Sequence, residues 1–394
     1  MKHFTFFTLI FFLICFSGRG QSWIKLETGV AGARFNHLDF VSNQLGYVAG
    51  DNGLILKTTN GGIRWEVLNT GTTENFAQID ALTADIVYAA GTNGTLIKSL
   101  DGGETWNSVA PDVNADLVSV QFINTEIGYV ASDNGVIYAT QNGAEWWWEY
   151  VASSIPGNAI EIRFINDSLG HFLFSSGFVY DYQLYSDVGS RMRLRKRGDG
   201  NMNDVQSMFF LDFTTGFVAQ NGKFLSSSGR NWSSGTPQAI ASTEVAAMHF
   251  LDRQEGFAAP TNQLGVIYHT TDGGQTWDEQ ALPGIGGLGD MKFPSSQIGY
   301  ACSYNGEVFK YIKSAEGECP FAIRSYPNPT FGQLTVEALG DYEVHLYSSE
   351  GQVVFSRAYA NQTLEIDVSN LTAGFYYLKI NTDECNFTEK IVVN

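Results

Sequence analysis

The sequence is poor in basic residues. Its 394 residues include 23 Lys and Arg against 41 Asp and Glu, which gives a net charge of −18. Nucleic acids and anionic membranes recruit proteins through clustered Lys and Arg, so an acidic balance of this size argues against both as general partners. We therefore expect no nucleic-acid partner.

Long hydrophobic runs are absent apart from one near the N-terminus. That run covers residues 4–16, follows Lys2 and precedes the small residues Gly18 and Gly20, and it is short for a membrane span. We predict a signal peptide over residues 1–20 and no transmembrane segment in the mature chain. Cleavage before Gln21 leaves 21 basic against 41 acidic side chains, a net charge of −20.

Cysteine is also scarce. Three cysteines remain in the mature chain, Cys302, Cys319 and Cys385, so at most one intramolecular disulfide can form. We favour Cys319–Cys385, because both residues flank or lie in the C-terminal module, and we expect Cys302 to be a small buried thiol. The pairing stays open at this point.

No motif for metal or cofactor chemistry is present. The mature-chain histidines stand alone, without ligand spacing, at His37, His171, His249, His269 and His345. P-loop, dinucleotide-binding, Gly-x-Ser-x-Gly and EF-hand patterns are missing as well. We predict no metal site and no cofactor.

A repeat of about 42 residues runs through most of the chain. Each copy has an apolar stretch, an aromatic marker, a strand of small residues and a Gly turn. The seven markers are Gly46-Tyr47, Tyr88, Gly128-Tyr129, Gly170-His171, Gly216-Phe217, Gly256-Phe257 and Gly299-Tyr300. Four short strands per copy are typical of a propeller blade. We predict an all-β fold with a seven-bladed β-propeller over residues 21–318, and a packing role for His171.

Two turns recur within each copy. In the first copy we predict strands at 35–41, 46–50, 54–57 and 65–69, with an Asn-Gly turn between the second and third. The turn before the outer strand carries an Asp or Asn five residues ahead of a Trp. The pairs are Asn60 with Trp65, Asp101 with Trp106, and Asp272 with Trp277. The Asp or Asn accepts backbone N–H bonds in the turn, and the Trp anchors the hairpin.

These turns resemble the Asp-box of BNR-type propellers, most closely the photosystem-assembly-factor-like (Ycf48-like) repeats. The resemblance implies that the box is structural and lies away from any catalytic face. Elsewhere the box decays, and we read Gln141 and Ser227 as replacing the Asp.

The seventh copy lacks the box and its Trp, and the N-terminus supplies a matching segment. Residues 23–29 match residues 65–71 in both the Trp and the Thr-Gly. We predict that residues 22–28 form the outer strand of the last blade, which closes the propeller and removes an open edge. Six tryptophans, at 23, 65, 106, 146, 232 and 277, then share one equivalent position.

Residues 319–394 form a separate module. Alternating apolar residues predict a small antiparallel β-sandwich. The module resembles the type A C-terminal sorting domain of the type IX secretion system of Bacteroidetes. The matching residues are Tyr326, Pro327, Asn328 and Pro329 at its start, Gly374 and Tyr376 within it, and Lys390 near its end. The resemblance implies export through the periplasm and outer membrane, with the secretion machinery as a partner.

For the propeller we expect a non-catalytic binding or interaction platform, secreted or held at the cell surface. The alternative is a divergent glycan-degrading enzyme of the sialidase type. That family's Arg-Ile-Pro opening is missing at Arg163 and Arg324, and only a structure can show whether the scattered arginines converge. A pocket with two or more carboxylates and converging arginines would favour the enzyme. Transfer of the assembly-factor role is unsafe for an exported chain.

Two local features are candidate ligand sites. Five positive charges crowd the place of the fourth outer strand, at Arg191, Arg193, Arg195, Lys196 and Arg197. A charged strand edge that blocks aggregation explains them, and a site for anionic glycans is the alternative. In the run of three tryptophans, Trp147 and Trp148 are candidates for stacking on sugars. Strand alternation exposes at most one of these two.

Overall fold

The computed structural model describes residues 21–151, 157–166, 169–176, 179–185, 191–197, 205–212, 215–220, 223–228, 231–233, 244–261, 263–284, 286–313, 324–337, 341–360, 363–381 and 386–394. Every regular element in these ranges is a β-strand. Within them no helix is long and apolar enough to cross a membrane. The all-β expectation is confirmed.

Seven four-stranded antiparallel sheets occupy the described part of residues 21–313, and we number them one to seven. Sheets one to three contain β2 (Phe35–Phe40), β3 (Gly46–Gly50), β4 (Ile55–Thr58) and β5 (Glu66–Leu68); β6 (Phe76–Ala81), β7 (Val87–Gly91), β8 (Leu96–Ser99) and β9 (Asn107–Ser108); β10 (Leu117–Phe122), β11 (Ile127–Ser132), β12 (Ile137–Gln141) and β13 (Trp148–Val151). Sheets four and five contain β14 (Ala159–Asn166), β15 (Leu169–Phe174), β16 (Val179–Tyr185) and β17 (Arg191–Arg197); β18 (Val205–Phe210), β19 (Thr215–Gln220), β20 (Lys223–Ser228) and β21 (Asn231–Ser233). Sheets six and seven contain β22 (Val245–Phe250), β23 (Gly256–Pro260), β24 (Val266–Thr270) and β25 (Asp278–Ala281); β26 (Leu288–Lys292), β27 (Ile298–Ser303), β28 (Val308–Lys313) and β1 (Gln21–Leu26).

The order of strands within each sheet follows the repeat. The first-sheet strands lie within one or two residues of their expected positions. The second strands consist of small and apolar residues and are buried along most or all of their length, as expected for strands covered on both faces. The first strands contact one another in sheet order, and β26 of sheet seven also contacts β2 of sheet one.

The first strand of the chain belongs to the last sheet. β1 pairs antiparallel with β28, with Trp23 opposite Tyr311 and Leu26 opposite Val308. Trp23 is buried and meets Phe293 edge-on, with ring centroids 6.1 Å apart. In sheet one Trp65 meets Phe40 in the same way, at 6.4 Å. The N-terminal segment therefore takes the same place in its sheet as the outer strand of sheet one.

The Gly-aromatic marker has a packing cause that the sequence did not reveal. In six sheets a Phe from the end of the first strand lies over the marker Gly, where a Cβ on Gly128 would be 2.4 Å from the Phe122 ring. The aromatic marker of the preceding sheet stacks on that same Phe. The stacked pairs are Tyr88–Phe122, Tyr129–Phe164, His171–Phe210, Phe217–Phe250, Phe257–Phe293 and Tyr300–Phe40. His171 is fully buried in this role, which agrees with the packing interpretation.

In sheets one, two, three and six, the turn before the outer strand is held by its Asp or Asn. Asp101 accepts the backbone N–H of Thr105 at 2.9 Å and its hydroxyl at 2.6 Å. These hydrogen bonds lower the pKa of Asp101 to about 2. Asp272 bonds Thr276 in the same pattern, and Asn60 accepts the N–H of Arg64 at 2.9 Å.

In sheet three the structure corrects the expected alignment by one residue. Asn142, and not Gln141, accepts the turn N–H, from Trp146 at 3.0 Å. Five residues after Asn142 comes Trp147, which meets Phe122 edge-on at 6.1 Å and donates its indole N–H to the Val109 carbonyl. Trp147 therefore occupies the repeat position that we assigned to Trp146, which is 61% exposed. The alignment on Trp146 required Gln141 in place of the Asp or Asn, whereas Trp147 has Asn142 at that distance.

The C-terminal module is built from two sheets. One contains β29 (Arg324–Tyr326), β30 (Gln333–Glu337) and β33 (Leu364–Asp367); the other contains β31 (Asp341–Ser348), β32 (Val353–Ala360), β34 (Gly374–Asn381) and β35 (Asn386–Val393). Buried residues of both sheets, among them Leu334, Val344 and Leu378, form one hydrophobic core. This arrangement is the β-sandwich expected from the alternating pattern.

Among the cysteines, Cys302 lies in β27, fully buried and without a disulfide. Burial raises the pKa of its thiol well above the usual range. Cys319 and Cys385 lie outside the described residues, so their pairing stays a prediction.

Candidate functional site

The first strands of the seven sheets surround a polar channel. Two adjoining cavities of about 150 and 170 Å³ lie there. Their lining includes four carboxylates, from Asp39, Asp80, Glu161 and Asp290. The sequence alone did not reveal these side chains, because polar residues two apart on a strand are also typical of a solvent-facing strand. Their recurrence at matching positions of the repeats was the available signal.

Each of the four carboxylates accepts a hydrogen bond from the backbone of the next sheet. Asp39 accepts the N–H of Ala81 at 2.9 Å, and Asp80 accepts that of Phe122 at 2.7 Å. Glu161 accepts from Met208 at 3.3 Å, and Asp290 of sheet seven accepts from Leu38 of sheet one at 3.2 Å. An inner edge strand leaves N–H groups unpaired, and the channel side chains satisfy them.

The charges in the channel are unevenly paired. Lys292 lies 2.8 Å from Asp39, and this ion pair raises the pKa of Lys292. Burial raises the pKa of Asp39, but the charge and hydrogen bond of Lys292, the Ala81 N–H and His37 together lower it overall. Asp80 forms no ion pair within the described residues. Burial and the neighbouring Asp39 raise its pKa to about 7, against the Phe122 N–H and the more weakly acting Lys292.

The same surroundings shift the other acid and a histidine. Burial raises the pKa of Glu161, against the nearby Arg163. His249 has its pKa lowered well below the usual value, first by burial and then by Arg163 and Lys292. Carboxylates therefore converge here, as an acid-base mechanism requires.

Arginines do not converge at the channel within the described part of the chain. Of the scattered arginines that we considered, Arg163 lines the cavity, 3.5 Å from Glu161 and 4.2 Å above the ring of Phe209. Arg34 lies over Tyr304 instead, and Arg253 pairs with Asp212 on the surface. Within the described part of the chain, no cluster of three or more His, Cys, Asp or Glu is arranged to hold a metal ion.

The tryptophan run of sheet three forms a second candidate site. Trp146 stacks on Trp148, with ring centroids 5.2 Å apart and 28° between the planes. Trp146 is 61% exposed and Trp148 is half-buried. Of the two residues expected to stack on sugars, Trp147 packs between sheets two and three, whereas Trp148 keeps a partly open ring.

The arginine-rich segment forms a strand. β17 pairs with β16 in the register Val179 to Arg197, Asp181 to Arg195 and Tyr185 to Arg191. The side chains of Arg191, Arg193, Arg195, Lys196 and Arg197 lie outside the described part of the structure. The anionic-ligand patch therefore remains an expectation.

The sorting-motif residues connect the two ends of the C-terminal module. Asn328 accepts the N–H of Val392 at 3.0 Å and donates to the Lys390 carbonyl at 2.8 Å. Tyr326 bonds Glu337 through its hydroxyl. Tyr376 is buried and bonds the Thr372 carbonyl, and Lys390 lies 3.6 Å from the ring centre of Phe375. Asn328 thus holds the last strand against the opening segment, and the contacts of Tyr326, Tyr376 and Lys390 lie elsewhere in the module.

Two known families each match a segment of the chain. Residues 324–394 match the secretion system C-terminal sorting domain. Residues 67–139 match the photosynthesis system II assembly factor YCF48 family. Both resemblances noted in the sequence are therefore confirmed over these segments.

Solved structures share the fold of the repeat region. YCF48 bound to D1 peptide is 18% identical and superposes with a TM-score of 0.61, covering 75% of this chain and 97% of that one. YCF48 from Cyanidioschyzon merolae gives 19% and 0.59, covering 74% and 98%. The WD40 β-propeller domain of Doa1 gives 8% and 0.58, covering 75% and 98%. At such identities the likeness shows a propeller fold alone. No curated protein matches the chain.

The sorting domain establishes where the protein goes. Chains with this domain are secreted through the type IX system to the cell surface or beyond. The expected localisation is confirmed, and the secretion machinery is a partner of the chain.

Proposed function

We propose that the protein is an exported, non-catalytic binding platform. In this proposal residues 1–20 are a signal peptide, residues 21–318 form a closed seven-bladed propeller that binds the ligand, and residues 319–394 direct export. Two observations support the proposal: the sorting domain, and the channel side chains that bond the backbone of the neighbouring sheet.

Closure of the propeller is supported by contacts that repeat across the last junction. Tyr47 of sheet one donates its hydroxyl to the Gly102 carbonyl of sheet two at 3.1 Å. Tyr300 of sheet seven donates to Gly61 of sheet one at 3.2 Å. The pairing of β1 with β28 covers the edge of sheet seven.

The observation that carries the non-catalytic proposal is the engagement of the channel carboxylates. Asp39, Asp80, Glu161 and Asp290 each hold a backbone N–H of the next sheet. An acid-base pair has to exchange protons with a substrate, and these carboxylates already serve the joints between sheets. Arg163 alone among the described arginines lines the cavity, whereas a sialidase-type site needs several arginines for a carboxylated sugar.

A screen of the mature chain, residues 21–394, tests the proposal. We expect binding to a glycan or peptide array without release of reducing sugar from any glycan that binds. Release of sugar would replace the platform by the glycan-degrading enzyme. YCF48 solved with a bound peptide is the reason to include peptides beside glycans.

Two isosteric variants sharpen that screen. Asp80→Asn and Glu161→Gln keep a carbonyl oxygen for the Phe122 and Met208 N–H groups but remove the ionisable acid. We expect ligand binding to survive in both. If the wild-type chain releases sugar and either variant loses more than about 100-fold in rate, the removed carboxyl is an essential acid or base.

A further inference from the structure

The stacked Trp146 and Trp148 lie at positions that are polar in sheets one, two and six. Counted from the Asp or Asn of the turn, these positions are Arg64 and Glu66 in sheet one, Thr105 and Asn107 in sheet two, and Thr276 and Asp278 in sheet six. All six of those side chains are exposed. The repeat therefore folds without an aromatic residue at either position, and its anchoring Trp is the intervening one.

Burial supports the same separation of roles in sheet three. Trp147 contacts Phe122 and serves the packing between sheets two and three. Trp148 contacts the edge of the cluster between sheets three and four, and Trp146 stacks on it with most of its surface exposed. Leaving a large indole in water forgoes the free energy of burying it, and an exposed aromatic pair of this kind is typical of a contact surface.

The charges near the pair indicate what it can bind. Glu149 follows Trp148 on β13, so its side chain points to the opposite face of the sheet. There the pKa of Tyr138 is raised mainly by burial and secondly by the charge of Glu149. Glu145 interacts electrostatically with Lys98. Both neighbouring carboxylates therefore interact with groups other than the indoles, and the exposed face of Trp146 is itself apolar and uncharged.

We propose that Trp146 and Trp148 form a stacking platform for a neutral pyranose unit of a saccharide. The apolar C–H face of a pyranose ring matches the size and polarity of one indole face. Lys98, the described cation at this turn, donates to the Gly143 carbonyl within the turn. This inference rests on the proposed binding function and gives it a site and a ligand class. The site lies on the outer part of sheet three, away from the channel.

The repeat supplies its own matched variants. Trp146→Thr with Trp148→Asn installs the residues of sheet two, Thr105 and Asn107, and keeps the backbone bond to Asn142. The reciprocal change, Thr105→Trp with Asn107→Trp, builds a second pair in sheet two. Thermal unfolding checks that both variants fold.

The experiment measures binding of the mature chain to soluble neutral oligosaccharides of glucose, mannose and N-acetylglucosamine. Indole fluorescence and calorimetry give the affinities. We expect the Thr/Asn variant to lose about tenfold or more, and the reciprocal variant to gain binding sites for the same sugar. Retained affinity in a folded Thr/Asn variant overturns the site and leaves the platform function standing.

Two further outcomes overturn the ligand class. One is wild-type binding to cationic peptides, with loss in the Thr/Asn variant and none of these sugars bound. The other is a wild-type chain that binds none of these sugars at millimolar concentration. In either case a ligand found on the arrays still supports the platform, whereas a chain that binds nothing there contradicts both proposals.

Discussion

The junction between sheets one and two differs from the other six in two ways. Its marker Tyr47 meets Ala81, where every other junction stacks an aromatic ring on a Phe. The cross-strand partner of Ala81 is Val87, where the other sheets have Gly. Two channel carboxylates, Asp39 and Asp80, also stand side by side at this junction.

The difference shows that the marker Gly and the Phe depend on each other. Gly128, Gly216 and Gly256 lie beneath a Phe ring, with no space for a Cβ. Where the Phe is absent, a β-branched residue takes the place of Gly, which suits a strand better. The Gly of the repeat is therefore a consequence of ring packing and not of backbone conformation.

The largest effect expected from breaking this pattern is that of Gly128→Val. Its Cβ would lie 2.4 Å from Phe122, so the ring must leave its stack with Tyr88. We expect a loss of about 3 kcal/mol or more in the free energy of unfolding. Chemical denaturation of the mature chain measures it. Val87→Ile, at the equivalent place in sheet two, is the control and should cost far less.

A double variant tests whether the two residues are coupled. Phe122→Ala with Gly128→Val copies the Ala81 and Val87 of sheet two. Because removing the Phe122 ring frees the space that the new valine side chain needs, we expect the pair to be less destabilised than the sum of the single variants, by about 1 to 3 kcal/mol. Additive losses would show that Gly128 is required for another reason.

The sequence predicted the repeats, the strands and the sorting domain because their signals are local and periodic. Gly46-Tyr47 and Asp101 with Trp106 identify a unit from its own residues. The stack of Tyr88 on Phe122 joins two units, and no pattern within one unit shows it. The channel side chains were missed for a similar reason: Asp80 acts on Phe122, a residue of the next sheet.

The tryptophan run marks another limit of sequence analysis. With three identical residues in a row, the position of the anchoring Trp depends on Asn142, and we chose Gln141. Counting five residues back from each Trp reaches an Asp or Asn for Trp147 alone, so the spacing by itself is enough to identify the anchor. What counting cannot give is the stacking of Trp146 on Trp148, which depends on side-chain packing at the edge of the sheet.

The aromatic stack that is missing between sheets one and two can be introduced by mutation. Ala81→Phe with Val87→Gly gives Tyr47 a ring to stack on, as Tyr300 stacks on Phe40. We expect a gain of about 1 kcal/mol over wild type, the contribution of an aromatic pair, measured by chemical denaturation. Ala81→Phe alone should destabilise, since Val87 fills the space. A stabilised single variant would contradict the dependence of Gly on Phe.

The smallest effect concerns the two carboxylates at the same junction. The pKa of Asp80 is raised to about 7 in the folded chain, against about 3.9 when unfolded. Below about pH 4 both states hold the proton and Asp80 costs nothing; between about pH 4 and 7 only the folded state keeps it, so stability falls as pH rises.

Asp80→Asn removes this titration and keeps an acceptor for the Phe122 N–H. Relative to wild type, we expect no gain near pH 4 and a gain of at most about 1 kcal/mol at pH 8, since Asp80 is only half-buried. Denaturation midpoints of both chains at pH 4, 6 and 8 measure the difference. Asp39→Asn is the opposite control, because it unpairs Lys292 and should destabilise at pH 8. A constant difference between wild type and Asp80→Asn across this range would mean that Asp80 is ionised throughout and that the first junction carries no proton-linked cost.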